Sequence, residues 1–96
     1  MNFFEPKETQ FDGIYIKPMT IKQSLSISHI KDDNDRFFTP AIYCLCDKDG
    51  NQMFDNLDDF YNYFPSTYMN DIVELIINVN TKDTKEDDKS AEKNVI

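Results

Sequence analysis

The sequence is poor in the side chains that most often bind metal ions. Its only soft ligands are two cysteines, Cys44 and Cys46, and one histidine, His29. A structural zinc ion needs four ligands, and these residues supply three. The composition therefore argues against a structural zinc site, and we expect neither a metal ion nor any other cofactor.

The sequence also offers few pairs of side chains that could act together in catalysis. A nucleophilic cysteine needs a base that lowers its pKa, whereas Cys44 and Cys46 lie in an apolar run that raises it. His29 needs an orienting carboxylate such as Asp32 or Asp33 to act as a general base, and nothing in the sequence places a substrate pocket beside it. We therefore predict that the protein is not an enzyme, that both cysteines are buried thiols and that His29 lies at the surface or half-buried.

Basic residues are outnumbered, with 10 Lys and Arg against 18 Asp and Glu and a net charge of -8. Such a charge repels the phosphates of nucleic acids and anionic lipid surfaces at long range. The aromatic residues between 60 and 68 have no interleaved cations, because no lysine or arginine occurs between Lys48 and Lys82. Platforms that stack nucleic-acid bases carry such cations. We expect neither nucleic acid nor a membrane as a partner.

Long apolar runs are absent. No stretch approaches the roughly 20 residues that a membrane-spanning helix needs. The first residues, MNFFEPKETQ, show no basic start, no long apolar segment and no small-residue cleavage site, so we expect no secretory signal and a cytoplasmic location. With 96 residues, 40% of them hydrophobic, the chain suffices for one domain with a modest core.

The longest apolar run opens the stretch 41–54, AIYCLCDKDGNQMF, and ends at a sharp turn, DKDG. Gly50 can take a positive φ without a Cβ penalty, and aspartate readily accepts hydrogen bonds from nearby backbone amides. Residues 42–46 and 51–54 fit the two arms of a β-hairpin. A short buried helix over residues 40–47 fits almost as well, because Thr39-Pro40 is typical of a helix start. Both interpretations stay open.

The chain before this turn alternates short elements with polar breaks. We predict a flexible arm over 1–10 and a strand over 11–17, FDGIYIK, that ends at Pro18. Thr20 and Gln23 have the spacing of a capping box, which favours a helix over 21–31, although apolar residues alternating with serines there also fit a strand. The acidic segment 32–35, DDND, is predicted to be a loop because its charges repel one another and its side chains compete for backbone amides.

The chain after the turn shows helical periodicity. Asn56 is placed to cap a helix whose apolar residues fall at i, i+3, i+4 and i+7, namely Leu57, Phe60, Tyr61 and Phe64. A last helix is expected from about residue 66 to 78, after Pro65. The remaining residues offer almost nothing for burial, so we expect a disordered tail.

These predictions combine into an α+β fold that is mostly α-helical. The small domain would have an N-terminal strand or short hairpin and three to four short helices. Its organisation would be a flexible arm over 1–10, a single helix-rich domain over 11–80 and a charged, disordered tail over 81–96.

The order of these elements resembles that of the tail assembly chaperones of long-tailed bacteriophages. In that family a short first helix precedes an apolar segment that closes on an Asp-x-x-Gly turn, followed by a phenylalanine and then two helices separated by a leucine-proline step. The resemblance spans about residues 14–80, with phenylalanine in place of leucine in that step. The matching positions are Asp47, Gly50, Phe54, Leu57, Phe64-Pro65 and Asn78.

The resemblance implies a non-enzymatic factor of the host cytoplasm that coats the tape measure protein and helps to recruit tail tube proteins to it. It also implies a longer second product, made by frameshifting, that differs in the charged tail from Thr81. An aromatic face on a small acidic protein could cover the apolar surface of a long helical partner. We predict six partner-binding residues: Phe60, Tyr61, Phe64, Met69, Ile72 and Ile76.

Two alternatives stay open. All six residues could form the core, an interpretation that fits Ile72 and Ile76 better than Tyr61 and Met69. The protein could instead be an acidic DNA mimic that inhibits a host nucleic-acid-binding protein. Its charge would come mainly from Asp32, Asp33, Asp35, Asp47, Asp49, Asp55, Asp58 and Asp59. A homo-oligomer is also left open.

Overall fold

Four α-helices and three strands of two residues each make up the part of the chain, residues 2–81, that the structure describes. The structure is a computed structural model. Its elements are β1 (Lys7–Glu8), β2 (Tyr15–Ile16), α1 (Ile21–Ile27), α2 (Asp33–Cys44), β3 (Leu45–Cys46), α3 (Leu57–Tyr61), a 3-10 helix (Ser66–Tyr68) and α4 (Met69–Val79). This is the small, mostly helical α+β domain that we predicted. The predicted tail lies, except for Thr81, outside the described residues.

The strands form one antiparallel sheet in the order β1-β2-β3. Ile16 pairs with Lys7 on one side and with Leu45 on the other. Residues 7 and 8 therefore belong to the sheet, although we had placed them in a flexible arm. The strand predicted over 11–17 is shorter than expected because Gly13 takes a φ of 77° in a turn that precedes it.

α1 is a helix, and the strand interpretation of this segment is wrong. The capping box forms as predicted: the backbone N–H of Gln23 donates to Thr20 Oγ1 at 3.0 Å, and the backbone N–H of Thr20 donates to Gln23 Oε1 at 2.9 Å. The helix ends at Ile27 rather than 31. The Ser26 and Ser28 hydroxyls near this end donate to backbone carbonyls, as serines do where they compete with regular structure.

α2 begins seven residues before the predicted helix start at 40, so the loop prediction for 32–35 is wrong. Asp32 is the cap, and its Oδ1 accepts from the backbone N–H of Asp35 at 3.0 Å. Asp33 and Asp35 lie in the first turn, where negative charge favours the helix dipole, and Arg36 forms an ion pair with Asp33. These local interactions outweigh the mutual repulsion of the aspartates, on which our loop prediction rested.

Pro40 lies inside α2, not at its start. A proline in this position cannot donate to the carbonyl four residues earlier. The neighbouring Thr39 hydroxyl donates to the Asp35 carbonyl at 2.6 Å, which adds a hydrogen bond beside the interruption. The helix continues to Cys44, and the chain enters β3 at Leu45. Each interpretation of residues 41–46, helix and strand, therefore holds for part of the segment.

The predicted turn after β3 is present. Asp47 Oδ1 accepts from the backbone N–H groups of Asp49 and Asn51 at 2.8 and 3.0 Å, and Gly50 has a φ of 87°. Hydrogen bonds from backbone groups, the one from Asn51 foremost, lower the pKa of Asp47. After the turn, Gln52 makes an isolated antiparallel bridge to Cys46, so a minimal hairpin forms.

The C-terminal half follows the predicted caps and periodicity. Asn56 Oδ1 accepts from the backbone N–H of Asp59 at 2.9 Å and so caps α3, which ends at Tyr61. The final helix begins as a 3-10 turn at Ser66 and becomes α-helical at Met69. α3 and α4 both pack on α2, which also packs against α1.

The core joins the sheet to the inner faces of α2, α3 and α4. Its buried members are Ile14, Ile16, Ala41, Ile42, Cys44, Leu45, Phe54, Phe60 and Ile72. Both cysteines are buried free thiols, as predicted, and burial raises the pKa of each. Among the helices of residues 2–81, none has the length and apolar character that crossing a membrane requires.

Candidate functional site

An apolar groove of about 270 Å³ opens between α2, α3 and the start of α4. We call it the aromatic groove. Its lining consists of three phenylalanines, a tyrosine and four smaller or aliphatic residues: Phe38, Phe60, Phe64, Tyr61, Pro65, Ser66, Met69 and Ile72.

The floor of the aromatic groove belongs to the core. Phe60 and Ile72 expose only 5% and 2% of their surface. Phe60 packs against Phe38 and Phe64, with ring centroids 5.9 and 5.8 Å away. Such tilted and edge-on arrangements are the favourable geometries for aromatic pairs. The floor is thus rigidly held, and replacing its side chains would disturb the fold itself.

The rim of the groove is open to solvent. Tyr61 and Met69 expose 39% and 47% of their surface, although both are large side chains. The Tyr61 ring packs edge-on against Phe38 at 5.9 Å, and its hydroxyl donates to Asp35 Oδ1 at 2.9 Å. Phe38 and Asp35 of α2 therefore hold the Tyr61 ring and hydroxyl in place, and Met69 projects from the first turn of α4.

Negative charge surrounds Tyr61. Partial burial, the hydrogen bond to Asp35 and the charges of Asp35, Asp32 and Asp58 together raise the pKa of Tyr61 to about 12. The hydroxyl therefore stays protonated at neutral pH and acts as a donor to the Asp35 carboxylate. The edge of the groove formed by α2 and α3 is an acidic one.

Five of the six residues that we predicted to bind a partner line the aromatic groove. The exception is Ile76, which is half-buried and packs against the core away from this groove. Ile72 is core, whereas Tyr61 and Met69 are exposed, which is the division expected from the sequence. Partner binding by these residues stays a prediction.

Sequence reasoning missed Phe38 as a lining residue, because the predicted helix began two residues after it. A signal was present in the spacing of Phe38, Ala41 and Ile42, which fall at i, i+3 and i+4 and mark one apolar face of a helix. Extending that helix back to the acidic segment would have placed Phe38 opposite the next helix.

The groove is suited to side chains of a partner more than to a whole small molecule. Small-molecule sites usually have volumes of about 300 to 1,000 Å³ and contain a few convergent polar groups. The aromatic groove falls below that range, and its lining offers mainly apolar surface. An apolar helix of another protein that inserts one or two side chains is the better match.

A second groove lies between β1 and the end of α4, with Phe3, Ile16, Leu75 and Val79 among its lining residues. It is larger, about 530 Å³, but Lys7, Glu8, Asn78 and Thr81 also line it. It contains none of the residues that we predicted to bind a partner. The aromatic groove is therefore the candidate site.

The residues considered for other chemistry are not brought together. Within residues 2–81, no group of three or more histidine, cysteine or acidic side chains is arranged to hold a metal ion. His29 is exposed. The raised pKa of Cys44 and Cys46 keeps both thiols protonated and makes them poor nucleophiles.

Half of the eight aspartates that a DNA mimic would use already accept hydrogen bonds within the fold. These four are Asp32, Asp33, Asp35 and Asp47. Asp32 caps a helix, and Asp33 forms an ion pair with Arg36. Asp35 accepts from a tyrosine hydroxyl, and Asp47 accepts from backbone groups of a turn. They are placed by local structure more than by a regular array of the kind that resembles a phosphate backbone.

Comparison with known proteins gives no match, whether with family models, curated proteins or solved structures. The candidate site therefore rests on the geometry of the groove and the chemistry of its lining. That geometry offers an apolar docking surface with a rigid floor, an open rim and one acidic edge.

Proposed function

We propose that the protein is a non-enzymatic tail assembly chaperone of a long-tailed bacteriophage. In this role it binds the tape measure protein in the host cytoplasm and helps to recruit tail tube subunits during tail assembly. The observation that carries the proposal is the aromatic groove, with Tyr61 and Met69 exposed on its rim. The tape measure protein is inferred as the partner from the resemblance in element order.

The energetics of the groove suit a reversible contact. Burying a large apolar side chain completely contributes about 1.5–3 kcal/mol, and Tyr61 and Met69 are each about half buried already, so each would add on the order of 1 kcal/mol. Binding also costs translational and side-chain freedom. One groove therefore binds weakly, and a long partner with repeated sites would be coated through many such contacts.

Co-purification from infected cells tests the proposal. A tagged chain is expressed during infection, isolated, and its partners are identified by mass spectrometry. We expect enrichment of a very long protein rich in helical heptads, together with the tube protein, over a control protein of equal net charge. If no tail protein is enriched, the proposed function is wrong.

Salt dependence separates this proposal from the DNA-mimic alternative. A mimic binds a basic cleft through many ion pairs, so its affinity falls steeply as salt rises. Binding through the aromatic groove buries mainly apolar surface and depends less on salt. We expect the main partner to stay bound at 0.5 M salt, whereas complete release would favour the mimic.

A further inference from the structure

The helices that border the aromatic groove carry an excess of negative charge. α2, α3, the 3-10 helix and α4 contain six acidic residues and one basic residue, Arg36. That guanidinium is already engaged, because it forms an ion pair with Asp33 and donates to the Ile30 carbonyl at 3.1 Å. The groove therefore lies in a negative field that the bordering helices do not neutralise.

Three carboxylates concentrate this charge at one edge. Asp35 accepts the Tyr61 hydroxyl, and the charges of Asp32 and Asp58 also act on that hydroxyl. Asp35 lies three residues before Phe38, so both project from the same side of α2. Among residues 2–81, none of these three carboxylates has an ion-pair partner. We call them the acidic edge.

The charge of the acidic edge selects among occupants of the groove. A second copy of this chain, with its net charge of -8, would bring like charges together. An anionic ligand or an acidic segment would be repelled in the same way. A helix with apolar side chains for the floor and a cation beside them would satisfy both features.

We propose that the aromatic groove takes an amphipathic helix that carries lysine or arginine beside its apolar face, with the cation bound at the acidic edge. Asp32, Asp35 and Asp58 supply the carboxylates, and Tyr61 and Met69 cover the apolar side chains. This inference deepens the proposed function and rests on it, because it states the chemistry of the tape measure segment that the groove binds.

The two features of the site have separate physical roles. Contact with the floor and rim supplies most of the affinity, because it removes apolar surface from water. The acidic edge sets the orientation of the helix and discriminates against acidic segments, as complementary charge does at protein interfaces. Exposed charges are screened over about 8 Å at physiological ionic strength, so the discrimination weakens with salt.

Three model peptides test the inference with purified full-length protein. All share one helical apolar face of leucines, and they differ only in the flanking residues, which are lysine, glutamine or glutamate. Fluorescence anisotropy measures their binding at low and high salt. At low salt we expect the lysine peptide to bind about tenfold more tightly than the glutamine peptide, as two or three exposed ion pairs would give, and the glutamate peptide to bind most weakly.

Two variants that remove the same number of charges test whether the lysine preference depends on the acidic edge. The triple variant Asp32→Asn, Asp35→Asn, Asp58→Asn keeps the helix cap and an acceptor for Tyr61 but removes the acidic edge, so it should lose the lysine preference. The control variant Asp12→Asn, Asp49→Asn, Asp55→Asn removes the same charge from exposed positions elsewhere and should keep it.

The peptide experiment can fail or succeed independently of the co-purification experiment. Equal binding of all three peptides, binding of none, or equal loss of preference in both triple variants would overturn this inference. A lysine preference that depends on the acidic edge would support it, even if no tail protein co-purified. In that case the chemistry of the groove would hold and the identity of the partner would be wrong.

Discussion

α2 borders two apolar regions that differ in one respect. At its C-terminal end, Cys44, Leu45 and Cys46 are 0% exposed, whereas at the aromatic groove Tyr61 and Met69 are 39% and 47% exposed. Both regions consist mainly of apolar side chains. The difference shows that apolar composition alone does not define the core, and that exposure separates the residues that hold the fold from those available to a partner.

The difference follows from what covers each region. Leu45 lies in a strand that pairs with β2, and its carbonyl also accepts from the Met53 backbone at 3.4 Å, so the chain closes around it. The aromatic groove is bounded instead by α3, which has only five residues and ends at Tyr61. Pro65 then precedes the 3-10 helix, and Tyr61 and Met69 stay exposed on the rim.

The largest expected effect is on the closed region. Leu45→Ala should lower the free energy of unfolding by about 2–5 kcal/mol, because it removes a fully buried side chain and leaves a cavity. Urea denaturation followed by circular dichroism measures the change. The matched control is Leu25→Ala in α1, where the side chain is 66% exposed and we expect a change within about 0.5 kcal/mol. Equal effects would contradict the division between the two regions.

A moderate effect is expected at the start of α2, which carries Phe38 and Asp35 to the groove. Asp32→Ala removes the helix cap and should lower the free energy of unfolding by about 1 kcal/mol. Asp32→Asn, which can still cap, should be nearly neutral. Thermal and urea unfolding measure the stability of both variants. If alanine and asparagine behave alike, α2 does not begin where the structure places it.

A smaller effect is expected at the rim, and its dependence on pH falls in the alkaline range. The pKa of Tyr61 is raised from 10.0 to about 12, so folding favours the protonated hydroxyl. This contribution is complete below about pH 10 and is lost as the pH rises towards 12. Tyr61→Phe should therefore make stability less dependent on pH in that window, as measured by urea unfolding at several pH values. Tyr63→Phe is the control, and an identical pH dependence in both variants would speak against the Tyr61–Asp35 interaction.

Local signals in the sequence predicted the elements that depend on neighbouring residues. The caps at Thr20 and Asn56 form as expected because each needs only a residue three positions later. β1 was missed because a strand of two residues exists only through its pairing with β2, which the local sequence does not encode. The start of α2 was missed because Asp32 reads equally as a loop residue or a cap.

The candidate site was predictable to the extent that it follows helical periodicity. The spacing of Phe60, Tyr61 and Phe64 placed them on one face, and all three line the groove. Periodicity did not exclude Ile76, because the same face of α4 extends past the groove along the core. Which side chains lie on the floor and which on the rim depends on the packing of α2 against α3, a contact between distant parts of the chain.

The central claim is that Met69, on the rim of the aromatic groove, binds the partner and contributes little to the stability of the fold. The most direct test compares Met69→Glu with Ile77→Glu, since both place a carboxylate on an exposed apolar position of α4, 47% and 57% exposed, and only Met69 lines the groove. Thermal unfolding and co-purification from infected cells are measured for both. We predict that each variant unfolds within about 2 °C of the wild type, that Ile77→Glu keeps its tail partner and that Met69→Glu loses it. Retention of the partner by Met69→Glu, or equal loss by both variants, would contradict the claim.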